Sequence, residues 1–153
     1  MRFVSLTSLS LLLAQAAAAQ TDSHKLQGYW NLKEYEVGSE KRELLRLLHG
    51  LDVKRVVKEE TRNLAVQKDT FAFNGLDLLR RAATARLDAG KIDLTSTSII
   101  KGAVYLGIYN LDGDDLILCI SDGSSRPTEF RAKPGQVLLR YKKVVPGGVA
   151  PKL

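Results

Sequence analysis

The chain has 153 residues, with 23 Lys and Arg against 17 Asp and Glu and a formal net charge of +6. That length is one domain's worth, large enough to bury a core without a disulfide or metal staple. A single cysteine, Cys119, excludes an intrachain disulfide framework. Basic residues are interleaved with acids, as in Lys54-Arg55 ahead of Lys58-Glu59-Glu60, and form no basic stripe with aromatic platforms. Nucleic acid is therefore not an expected partner.

The first 19 residues read as an export signal. Arg2 is a short basic start, Phe3 to Leu13 is apolar, and Ala17-Ala18-Ala19 supplies small residues for cleavage before Gln20. The apolar run is too short to cross a bilayer core of about 30 Å as a helix. No later stretch is long and apolar enough for an integral segment, and Gln20 rather than a cysteine stands at the new N-terminus, so nothing there can carry a lipid. Loss of Arg2 lowers the charge to +5. The expected location is exported, periplasmic or extracellular, with a domain over 20–145 and a fraying tail over 146–153 after Pro146-Gly147-Gly148.

Leu26 to Val37 alternates loosely, with Trp30, Leu32 and Val37 apolar among Lys33, Glu34 and Glu36, and reads as a strand. Ser39 to Gly50 places Leu44, Leu47, Leu48 and Leu51 at helical spacing, with Ser39 to cap and Gly50 to close, so an amphipathic helix packed on the domain is predicted. Val53 to Val57 reads as a strand. Leu64 to Gln67 and Thr70 to Phe73 form a hairpin across Lys68-Asp69, and Asn74-Gly75 is a further turn. Leu76 to Leu87 is a helix by composition, with a strand as the alternative over Ala83 to Leu87. Lys91 to Leu94, Ala103 to Asn110, Leu116 to Ile120 and Gln136 to Val145 read as strands, with Asp112-Gly113 turning between the second and third.

Catalytic constellations are thin. His24 and His49 belong to no spaced ligand set, and there is neither a Gly-x-Ser-x-Gly elbow nor a phosphate-binding glycine loop. The acids from Asp112 to Asp115 lack the alternate spacing and distal glutamate of a calcium loop, so a hairpin turn is expected rather than a metal site. Glu129 near Asp93 or Asp122 could form an acid/base pair in space. No cofactor is implied. Cys119, inside Leu116-Ile117-Leu118-Cys119-Ile120, reads as a buried thiol.

Four blocks share one likeness: Leu26-Gln27-Gly28-Tyr29-Trp30, Lys91-Ile92-Asp93-Leu94-Thr95, the run from Gly107 to Leu116, and Arg126-Pro127-Thr128-Glu129-Phe130. In order and content they resemble an uncharacterised secreted, lipocalin-like domain family abundant in planctomycetes, a calycin-type barrel. The Gly-x-Trp of the first block is similar to the first strand of lipocalin-type barrels. The likeness spans nearly all of Leu26 to Lys143, and Glu40 to Leu87 departs most, with its leucine-rich and alanine-rich segments. It implies a mainly β fold: an antiparallel up-and-down barrel of about eight strands with one short amphipathic helix.

The resemblance also suggests jobs for residues. Trp30 closes one end of the barrel under a basic side chain from the last strand, Arg140 in preference to Lys142. Arg126 is held by Asp93 or Glu129, and Pro127 stiffens the approach to the next strand. Gly28, Asp112 and Gly113 complete the structural set. Two functions are expected. The first is non-catalytic binding of a small apolar or amphipathic ligand in the barrel, lined by Tyr35, Tyr105, Tyr109 and Phe130. The second is a packed barrel acting as a structural or interaction module toward a cell-envelope protein, docking through the Ser39 to Gly50 helix. Catalysis ranks behind both.

Overall fold

In a computed structural model of the chain, the described residues are 22–38, 54–56, 63–74, 81–97, 101–121 and 125–144, with the backbone alone described for 54–56 and Arg81. They form nine strands: β1 Gly28–Val37, β2 Lys54–Val56, β3 Asn63–Gln67, β4 Thr70–Asn74, β5 Arg81–Asp88, β6 Lys91–Ser96, β7 Val104–Asp112, β8 Asp115–Ser121 and β9 Gln136–Lys143. All pairings between the strands are antiparallel, neighbours in sequence are neighbours in the sheet from β3 to β9, and β9 returns to β1. β2 and β3 share one edge of β1, β3 along Gly28 to Asn31 and β2 along Glu34 to Glu36, so nine strands make eight staves. The mainly β, up-and-down closed barrel expected from the blocks is the fold the chain has.

Closure leaves each stave one face inward, and the apolar residues follow. Leu64, Phe71, Phe73, Ala83, Ile92, Leu94, Leu116, Leu118 and Leu139 all point inward and are at most 1% exposed. Burying each of the larger of these contributes about 1.5–3 kcal/mol. The loose alternation of β1 has a geometric cause. Its register against β9 shifts between Leu32 and Glu34, a bulge that moves the inward set from Trp30 and Leu32 to Tyr35 and Val37.

Within the ambiguous Leu76 to Leu87 segment, Arg81–Asp88 is a strand, and residues 76–80 lie outside the described residues. Pairing with both β4 and β6 outweighs the helical preference of its alanines, and the small Ala83 fits fully inside. A helical turn lies at 22–26. The helix expected at Ser39 to Gly50, His49, the Asn74-Gly75 turn as a whole, Asp122, the leader over 1–19 and the tail over 146–153 lie outside the described residues.

β8 and β9 break the in–out alternation, with Leu118 to Ser121 and Gln136 to Leu139 buried throughout. Two-faced burial means that something covers the barrel's outer wall there. The cover is the strap 125–135, which joins β8 to β9 and lies over the outward pair Cys119 and Leu138.

Candidate functional site

One end of the barrel is closed by the helical turn 22–26, and the Leu26 to Trp30 block supplies its parts. Leu26 is 1% exposed, and its carbonyl accepts the indole N–H of Trp30 at 2.8 Å. The Gln27 amide clamps the β3–β4 turn, accepting from the Lys68 backbone N–H at 2.7 Å and donating to the Lys68 carbonyl at 3.0 Å. Lys68 holds a φ of 57°, uncommon without a Cβ-free residue, and the clamp fixes it there. Gly28, at φ 115°, makes the corner from helical turn to strand that an L side chain would strain. Across the end, the Tyr109 hydroxyl donates to Asp22 at 2.9 Å. Burial first, and then the Asp22 bond, push that phenol up to about 12.

The cation over Trp30 is Lys143, not Arg140. Register places Lys143 opposite Trp30 and Arg140 opposite Glu34, on the outward face. The Lys143 ammonium lies 5.1 Å from the ring centroid and donates to the Lys25 carbonyl at 2.7 Å. Arg140 instead pairs with Glu34 at 3.7 Å, and Lys142 with Asp115 at 3.0 Å.

Three of the four side chains expected to line a cavity face the barrel interior. Tyr35, Tyr105 and Tyr109 face inward at 1%, 8% and 4% exposure. Phe130 does not join them; it sits on the outer strap at 38% exposure. The strap is outside because its anchors are outward-facing groups on the barrel wall.

Arg126 ties the strap to that wall. One guanidinium nitrogen donates to the carbonyls of Ile92 at 3.1 Å and Gly107 at 2.7 Å, and the other to Asp93 at 2.5 Å. Asp93 is thus its carboxylate partner; Glu129 pairs within the strap with Lys133 at 2.6 Å and Arg131 at 3.6 Å, which holds its carboxyl below the usual range. The acid/base pairing of Glu129 with Asp93 is therefore not formed. Pro127 is buried within the strap and lies well ahead of Gln136, where β9 begins, so it stiffens the strap rather than the approach to a strand.

The strap's far end rests on Gly38. A Cβ there would lie 1.8 Å from the Lys133 carbonyl oxygen, so the backbones touch only because no side chain intervenes. Under the strap, the Cys119 thiol donates to the Arg131 carbonyl at 3.7 Å, and burial pushes it up to about 11.

Between the strap and the β5–β6 wall lies a cleft of about 210 Å³, lined by Arg86, Asp88, Lys91, Asp93 and Arg126. The acids from Asp112 to Asp115 form the β7–β8 turn. Among the described residues no three His, Cys, Asp or Glu side chains converge on one point, and no helix is long and apolar enough to cross a membrane. Gln27, Gly38 and Lys143 were not singled out in the sequence. Gln27 stands inside the first block, whereas Lys143 needed the β1–β9 register.

The class defined by this geometry is a closed eight-stranded up-and-down barrel with one capped end and a strapped outer wall. No family model, curated protein or solved structure matches the chain.

Proposed function

We propose that the chain is an exported, non-catalytic interaction module of the lipocalin-like secreted class its sequence blocks resemble, with a packed barrel and a functional outer surface that meets a cell-envelope protein. One observation carries the choice. Trp30, Tyr35, Phe71, Phe73, Leu64 and Leu94 face the interior at 0–1% exposure, and side chains lining a space that admits even water would keep accessible surface. Export is supported by the leader.

Native mass spectrometry of the protein purified from its own host tests the reading. The expected species is the chain from Gln20 with no small molecule attached. A stoichiometric co-purifying ligand would overturn the packed-barrel reading, and a retained leader would overturn export. A pull-down from envelope extract tests the partner: capture that is unchanged by Leu44→Glu with Leu48→Glu counts against docking through the predicted helix.

A second reading, a small apolar or amphipathic ligand inside the barrel, draws on Tyr105. It keeps 8% exposure while facing inward, at the end where β1, β4, β6 and β8 finish. A host ligand whose binding is lost in Tyr105→Ala would favour it.

A further inference from the structure

We propose that the cleft under the strap binds a small oxyanion, a carboxylate or a phosphate, with Arg86 as its principal contact. The argument starts from register. On the outward face of the β5–β6 hairpin, Arg86 stands opposite Asp93 and Asp88 opposite Lys91, two cross-strand pairs of opposite charge that would balance each other. The strap upsets that balance. Arg126 takes Asp93, and its guanidinium is fixed by two main-chain carbonyls as well. Asp93 with Arg126 and Asp88 with Lys91 then cancel in charge, and Arg86 is left as a surplus cation with no ion pair among the described residues.

The surplus charge sits in a concavity rather than on an open wall. The cleft of about 210 Å³ holds Arg86, Lys91 and the pinned Arg126 on its lining. Arg126 spends one nitrogen on the carbonyls and one bond on Asp93, so its planar fork keeps N–H groups for a further acceptor. Being only 27% exposed, it is held in place without side-chain entropy left to lose on binding. Two guanidinium groups, one fixed and one uncompensated, suit the planar or tetrahedral oxygens of an oxyanion better than a halide. Asp88 and Asp93 set an upper limit on ligand charge and favour a monoanion. Neither the proposed envelope docking nor the reading of a packed interior uses any of the cleft's lining residues, so this inference stands or falls independently of the function proposed above.

The test is a titration of the purified exported protein followed by 1H–15N spectra of the arginine side chains and the 86–93 backbone. Inorganic phosphate and acetate are added in separate arms at constant ionic strength, with chloride as the reference. The expected result is saturable shifts at Arg86, Arg126 and Lys91 with one or both oxyanions and none with chloride. Arg86→Gln is expected to weaken binding about tenfold, the loss of one charge-assisted contact, while leaving the thermal midpoint and the Arg126 resonances unchanged. Saturation by phosphate alone assigns the cleft to phosphate groups, and by acetate alone to carboxylates. Shifts that grow linearly, spread over the basic surface or match chloride overturn the proposal, as does equal affinity in Arg86→Gln.

Discussion

The Lys143 ammonium lies 5.1 Å over the Trp30 ring, and both side chains are tied to the same helical turn: Trp30 to the Leu26 carbonyl, Lys143 to that of Lys25. First strand, last strand and N-terminal cap therefore meet at one point. This closes the barrel both around its girth and at its end. The contact is worth about 0.5–2 kcal/mol as a cation–π pair, whereas the tryptophan's burial is worth more.

Trp30→Ala is expected to cost about 3–5 kcal/mol, since the indole is fully buried. Trp30→Phe keeps the ring but orphans the Leu26 carbonyl, at about 1–3 kcal/mol. Lys143→Met is expected to stay under about 2 kcal/mol. Urea unfolding gives all three. A Trp30→Ala variant that unfolds at the wild-type midpoint would remove the capping role.

Gly107→Ala is expected to destabilise by about 1–3 kcal/mol. The new Cβ would lie 2.9 Å from both the Cys119 carbonyl oxygen and the Ile92 side chain, so these neighbours must shift. The same denaturation series measures it. A neutral effect would mean that the Cys119 backbone and the Ile92 side chain give way freely.

Arg126→Ala and Gly38→Ala act on opposite ends of the strap. Each is expected to free it and raise the labelling rate of Cys119 by an aromatic disulfide reagent at least about tenfold, because the thiol is covered by the strap and its ionisation suppressed by burial. The β-sheet circular dichroism should be retained. Fast labelling in the wild-type protein would show that the strap does not cover the thiol.

Stability is expected to fall as pH rises above about 9. Burial pushes Cys119 from 9.0 up to about 11, burial and Asp22 push Tyr109 from 10.0 up to about 12, and burial pushes Tyr141 up as well. The folded chain thus holds protons that the unfolded chain has already released. The stabilisation from these groups is complete below their unfolded values and is lost as pH climbs toward the folded ones. Thermal midpoints from pH 8 to 12 measure the slope. Tyr109→Phe should flatten it above pH 10, and an unchanged slope would separate the cap from the alkaline transition.

Much of the barrel was legible in the chain because strands carry their own signals. The Lys68-Asp69 turn and the Asp-Gly signal, whose loop falls at Gly113-Asp114, set two hairpins between segments that read as strands. Leu76 to Leu87 reads two ways because alanine and arginine favour a helix in isolation, and only a partner on each side makes its described part, from Arg81, a strand. The Arg126 and Asp93 pairing was among the alternatives the resemblance offered, but the two carbonyls that also hold Arg126 come from strands far away in sequence.

By itself the sequence determined composition, local turns and which residues prefer a buried face, since these depend on each residue and its near neighbours. The tertiary structure decided which cation covers Trp30, that Phe130 lies outside the barrel, and that Arg86 loses its opposite charge to the strap. Each of these follows from register and closure, which bring residues dozens of positions apart within a few ångströms and which no local pattern encodes.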